Sequence, residues 1–211
     1  MLQRVWNLGS AVKQRWDRVR LENRWRTLRR MGMHIGENVF LPETTWIDIP
    51  FCYLISIGDW CGFGHGCLIL AHDAQMDEFL DAGKIGRVTI HESCHIGART
   101  LILPGVEIGP RTIVYAGSVV PKSLPPETVC AGAPARPVLS LEQYLRGHRA
   151  RLAVRPTFPY ADVVGAALTL QKRAEVMAAL ADGEAYIVGG HSEELKGRGD
   201  TPRTRWNSKT Q

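Results

Sequence analysis

From Ile90 to Pro125 the chain places a branched aliphatic at every sixth position: Ile90, Ile96, Ile102, Ile108, Val114 and Val120. Four places further on stand Cys94, Thr100, Val106, Thr112, Ser118 and Leu124, all but the last small or β-branched. A helix buries apolar residues every third or fourth position, and a half-buried strand every second. A period of six fits neither as a lone element. It fits a coil of short flat strands and tight turns, in which each aliphatic stacks on its copy in the next coil. Gly105 and Gly117 fall where a turn can use their freedom in φ. The pattern predicts a parallel β-helix.

A less regular run precedes it. Ile35, Leu41 and Ile47 are six apart, the register slips by four, and Phe51, Ile57, Phe63 and Ile69 resume it. Between Asp73 and Arg87 the register is lost in a stretch holding Asp73, Asp77, Glu78, Asp81 and Lys84, which reads as a loop extruded between two coils. Long polar loops on a rigid scaffold are where sites are usually built. After Val120 the pattern stops at Pro121, Pro125 and Pro126, and 132–137 close the stack.

The ends are helical in pattern. Val5, Leu8, Val12, Trp16 and Val19 make one stripe, Leu21, Trp25 and Leu28 a rotated one, and Gly32 can end the helix. This basic amphipathic arm, 1–33, is expected to pack on the coil or on another subunit, with peripheral membrane contact through 1–30 as the other use of its Trp and Arg. Ser140 and Gln143 form a capping box for a helix through about Arg149, and another helix is expected from Asp162 to about Leu180. The organisation predicted is an arm at 1–33, a β-helix at 34–138 with an extruded loop at 73–87, a helical extension at 139–190 and a loosely ordered tail at 191–211.

Composition narrows the class. The chain has 211 residues and a hydrophobic fraction of 45%, enough for one sizeable core with appendages. Five cysteines without paired spacing point to a reducing compartment, and Cys61, Cys67 and Cys94 fall on the small-residue position of the repeat, as compact fillers. No long apolar run and no signal-peptide pattern is present, so a cytoplasmic location is expected, at the inner face of the membrane if the arm touches lipid. The net charge of +5 is uneven: nine Lys or Arg against two acids over 1–30, six against eleven over 31–138, and eleven against eight beyond. The repeat is therefore mildly acidic, which argues against a nucleic-acid reader.

Residues 35–138 resemble the hexapeptide-repeat acyltransferases, which include galactoside, maltose and serine acetyltransferases and the O-acetyltransferases of surface-polysaccharide pathways. The resemblance rests on Ile69-Leu70-Ala71-His72-Asp73, on residues 102–109, on Ala116-Gly117-Ser118-Val119-Val120-Pro121-Lys122, and on Ala131-Gly132-Ala133-Pro134-Ala135-Arg136. The His-Asp pair, the loop length and the helix at 140–145 make the polysaccharide O-acetyltransferases the most similar branch. It implies a mainly β fold, a left-handed parallel β-helix, assembled as a homotrimer with sites between subunits. The activity implied is transfer of an acetyl group from acetyl-CoA to a hydroxyl of a sugar or glycan precursor.

Such a transfer needs a base for the attacking hydroxyl, donors for the oxyanion and a grip on the carrier. His72, standing immediately before the loop, matches the family's catalytic histidine, with Asp73, Asp77 and Asp81 as candidates to orient its ring. Ala98 and Ala116 match positions whose backbone grips the pantetheine arm of coenzyme A, and Lys122 and Arg136 match cations that meet its nucleotide phosphates. Asp48 stands near the place where relatives bind acceptor hydroxyls, and Asp73 is a second acceptor candidate. His95 departs from the family, where a bulky apolar residue is common. No metal is expected. Competing readings are N-acetylation of an amino sugar, a γ-class carbonic anhydrase-like metalloenzyme suggested by His65, His91 and His95, and a non-catalytic trimeric scaffold.

Overall fold

The computed structural model describes residues 20–164, 168–181 and 183–190. Within them the six-residue period becomes a three-sided coil. The first sheet stacks His34–Ile35, Ile55–Ile57, Val88–Ile90 and Glu107–Ile108. The second stacks Gly62–Phe63, His95–Ile96, Ile113–Val114 and Thr128–Gly132, and Ala135–Ser140 closes it antiparallel. The third stacks Trp46–Ile47, Leu68–Ile69, Leu101–Ile102 and Val119–Val120. Apart from that closing strand, every pairing in these sheets is parallel.

The register puts each repeat aliphatic on its copy: Ile57 beside Ile90 beside Ile108, Phe63 beside Ile96 beside Val114, and Ile47 beside Ile69 beside Ile102 beside Val120. All of these are at most 1% exposed, so the stack is itself the core. The residue four places on faces inward at the next corner and closes it. Thr100 and Ser118 hydroxyls donate to the Gly97 and Tyr115 carbonyls at 2.7 Å each, and Thr112 donates to the Pro125 carbonyl at 2.9 Å. Cys67 Sγ donates to Gly64 and Gly97 carbonyls at 3.2 Å, and Cys61 and Cys94 donate to His91 and Gly109 carbonyls at 3.0 and 3.1 Å. These thiols are more than fillers, because they do at longer range what the hydroxyls do in later coils. Gly105 and Gly117 take positive φ (+84° and +73°), whereas Gly97 is required by close approach: a Cβ there would lie 2.3 Å from the Ala116 nitrogen.

Of the N-terminal arm, the stripe from Val5 to Val19 lies outside the described residues. Residues 20–30 are helical and end at Gly32 (φ +96°), with the Met33 N–H on the Leu28 carbonyl. Leu28 is buried in the core and Trp25 packs against it. Arg24 donates to the Glu43 and Thr45 carbonyls at 2.7 and 2.6 Å, Arg29 to the Ile35 carbonyl, and Arg20 pairs with Glu43. This part of the arm spends its apolar stripe and three of its arginines on the coil.

Packing divides the chain after Leu145, inside the helix Leu141–Leu152. Ser140 and Gln143 cap that helix reciprocally at 2.9 and 3.1 Å. The second unit differs from the expected single helix. A short helix Tyr160–Val163 contains Asp162, and the longer helix Leu170–Ala179 is capped by Thr169, whose hydroxyl accepts the Lys172 N–H. Asp162 pairs instead with the Lys172 ammonium at 2.8 Å. This unit also holds a parallel pair, Thr157–Pro159 with Tyr186–Val188, that no periodicity announced. The tail, 191–211, lies outside the described residues. Among the described residues no helix is long and apolar enough to cross a membrane.

Candidate active site

Both breaks in the hexapeptide register fall at one corner, where the third sheet passes to the first, in consecutive coils. The partners Ile90 and Ile108 are 18 positions apart in sequence, whereas Ile35 and Ile57 are 22 apart and Ile57 and Ile90 are 33 apart. The four extra residues make the 3-10 segment Ile49–Leu54. The fifteen extra make a hairpin: His72–Asp73 pairs antiparallel with Lys84–Ile85, and its tip carries the helical turn Asp77–Leu80. The expected loop is thus a built element, and it starts at His72 itself. Its tip is also less polar than its composition, with Phe79 and Leu80 exposed at 81% and 68%.

Stacking one insertion on the other brings Asp48 beneath His72. Asp48 follows Ile47, which pairs with Ile69, and its N–H donates to the Ile69 carbonyl. Its carboxylate is 0% exposed. Oδ2 accepts the Ala71 N–H at 3.0 Å, the His72 N–H at 2.9 Å and the His72 ring Nδ1 at 2.5 Å. Oδ1 is buried and has no partner among the described residues. A carboxylate that meets Nδ1 makes that nitrogen the proton-bearing one, which leaves Nε2 with its lone pair. The His72 side chain is 35% exposed, so the ring is held on one side and open on another.

Two expectations are refined here. Asp48, expected near the acceptor hydroxyls, is fully enclosed, with Oδ2 on His72. The carboxylate on the ring is Asp48 rather than Asp73, Asp77 or Asp81. Asp73 accepts the Gln75 N–H at 2.9 Å and so shapes the start of its own hairpin. The signal for Asp48 was in the sequence as the four-residue slip beside it. What the slip would do depends on the next coil.

A contact that sequence reasoning missed lies on the same ring. Phe51, inside the first insertion, packs against the His72 imidazole with ring centroids 4.7 Å apart and planes 33° from parallel. Across the hairpin, Ile85 is the register partner of His72 and is 56% exposed.

The remaining candidates are distributed over the coil. Ala98 and Ala116 lie at the corner between second and third sheets in adjacent coils, joined by the Gly117 N–H donating to the Ala98 carbonyl at 2.8 Å. Lys122 is exposed at the His72 corner, two coils further along, about 10 Å up the stack at one strand spacing per coil. Arg136 is exposed on the closing strand and donates to the Ala135 carbonyl. Of the six positions sought besides His72, only Asp48 and Asp73 adjoin it. His95 stands on the second sheet, over Gly62, where burial of the ring lowers its pKa. His65 bonds Thr44 and His91 bonds Glu107, and among the described residues no three His, Cys, Asp or Glu side chains are grouped to hold a metal.

Known proteins match this part of the chain. The family model for the bacterial transferase hexapeptide (six repeats) matches residues 87–122. The chain is similar to the putative acetyltransferase YvoF of Bacillus subtilis, 35% identical over 54% of this chain and 63% of that one. It is also similar to the putative acetyltransferase C18B11.09c of Schizosaccharomyces pombe, 40% identical over 53% of this chain and 54% of that one. It thus spans less than two thirds of either relative. The putative colanic acid biosynthesis acetyltransferase WcaF of Escherichia coli is 31% identical over 53% of this chain, and there the match covers 72% of the relative. With the three-sided coil, the register of its repeats and these matches together, the chain belongs to the hexapeptide-repeat transferase family.

Proposed function

We propose that this protein is an acetyl-CoA-dependent O-acetyltransferase acting on a hydroxyl of a sugar or surface-polysaccharide precursor. The observation that carries the reading is the buried Asp48 carboxylate on Nδ1 of the partly exposed His72, a pairing that supports a role for Nε2 as the base. His72 Nε2 takes the acceptor hydroxyl proton as that oxygen bonds to the thioester carbonyl carbon. The same imidazolium returns the proton to the sulfur as the C–S bond breaks, so no covalent enzyme intermediate is needed. Asp48 stabilises the transient positive ring and keeps its tautomer. That the relatives bear acetyltransferase names, one of them for colanic acid biosynthesis, supports both the acyl group and the acceptor class.

The donor would lie along Ala98 and Ala116, with Lys122 and Arg136 toward its phosphates and Asp73 at the acceptor side. Ala98 and Ala116 line one corner of the coil and His72 another, with the third sheet between them. A donor held at the first corner would meet the base of a neighbouring chain if the two corners came from different chains packed through the third sheet. That favours a ring closed by a heterologous contact, the homotrimer. The outward face of the third sheet suits such a contact: Trp46, Leu68, Leu101 and Val119 stand in register, with Trp46 exposed at 49% and Leu68 at 39%. The first sheet's outward row of His34, Ser56, Thr89 and Glu107 is polar by contrast.

The test is thiol release from acetyl-CoA with a panel of methyl glycosides and nucleotide sugars. The His72→Ala protein should melt as wild type does and lose about a hundred- to ten-thousand-fold in turnover. Wild-type turnover in that variant would remove the assignment.

A further inference from the structure

We infer that Phe51 is a positioning residue for His72, holding the imidazole at the tilt from which Nε2 meets the acceptor hydroxyl. The inference deepens the general-base reading and rests on it. A planar ring tied only through Nδ1 keeps freedom to swing about that bond, and an error of about 1 Å at a reacting atom costs on the order of a hundredfold in rate. Asp48 supplies the tie, and Phe51 supplies a wall, since its ring lies against the imidazole at 4.7 Å and 33°. That spacing falls within the range of favourable aromatic contacts.

The wall is itself fixed. The Phe51 N–H donates to the Asp48 carbonyl at 3.1 Å, so the residue that walls the ring is fastened to the residue that ties it. Pro50 precedes it, and Cys52, 1% exposed, roots the segment in the core. Phe51 alone in this segment leaves helical backbone (φ −115°, ψ 17°), the kink between two merged turns. The four-residue slip at 48–54 therefore delivers two contacts to one imidazole.

Phe51→Leu removes the flat face and keeps an apolar side chain of similar reach, and Phe51→Tyr restores the ring. With acetyl-CoA and the best methyl glycoside of the panel, Phe51→Leu should lower kcat about tenfold while the KM for acetyl-CoA and the melting temperature stay near wild type. Phe51→Tyr should keep kcat within about twofold of wild type. The imidazole C–H resonances of His72, assigned by their loss in His72→Ala, should move on Phe51→Leu as the ring current disappears, and stay in Phe51→Tyr. Wild-type kcat in Phe51→Leu, or equal loss in the Leu and Tyr variants, would overturn the inference whatever the spectrum shows. Wild-type turnover in His72→Ala would instead remove the base reading, and this inference with it.

Discussion

Replacing Asp48 separates what its charge does from what its shape does. In Asp48→Asn the amide oxygen should occupy the Oδ2 position, because the Ala71 and His72 N–H groups both point there and would repel an NH2. The ring therefore keeps its place and its tautomer, and only the counter-charge to the transient imidazolium is lost. Hydrogen bonds to a charged group contribute about 1.5–3 kcal/mol against about 1 for neutral ones. The difference, about 0.5–2 kcal/mol, corresponds to a fall in kcat of roughly 2- to 30-fold. Asp48→Ala goes further, leaving two backbone N–H groups and Nδ1 without a partner. At about 1–3 kcal/mol for each buried orphan, partly relieved by water, a cost near 3 kcal/mol is expected. That corresponds to about 6–12 °C in melting temperature for a chain of this size. Steady-state thiol release and thermal melts followed by circular dichroism read the two effects separately. An Asp48→Asn protein with kcat within twofold of wild type would refute the charge argument, and an unshifted melt in Asp48→Ala would refute the structural one.

Two further outcomes test the coil and its thiols. Gly97→Ala should destabilise by about 2 kcal/mol or more, since its Cβ meets the backbone of Ala116 at 2.3 Å. Gly105→Ala meets nothing within 4 Å and should cost only the left-handed backbone, about 1–2 kcal/mol; equal melts for the two would contradict the packing argument. Burial pushes the thiols of Cys52, Cys67 and Cys130 up. The folded state thus favours the neutral thiol, so its contribution is complete below the unfolded thiol value near 8.5 and declines as pH rises beyond it. Melting temperature should fall on the alkaline side, less so in Cys67→Ala, and native protein at pH 8 should react slowly with a disulfide reagent; rapid reaction of all five cysteines would contradict it.

Much of the coil was legible because a period of six survives in one dimension. Each Ile, Val or Phe of the repeat needs only its copy in the next coil, so from Ile90 onward spacing alone fixed the register, as Ile90 with Ile108 and Ile102 with Val120 illustrate. The capping box at Ser140 and Gln143 and the helix end at Gly32 were readable for the same reason, since both are local hydrogen-bond patterns. The second unit was harder. A cap at Asp162 is as good locally as one at Thr169, yet the Thr169 hydroxyl takes the Lys172 N–H while Asp162 pairs with the Lys172 ammonium.

The linear order of residues by itself determined the stack, its small-residue corners and the place of a histidine at the root of an insertion. Tertiary structure decided which carboxylate holds that histidine and which ring lies against it. Asp48 and Phe51 are more than twenty positions from His72 and belong to the preceding coil. Their meeting depends on two insertions leaving the stack at the same corner, one strand spacing apart. Contacts along the coil axis are set by register, whereas contacts between irregular segments are set by where each segment returns to the stack, and no period encodes that.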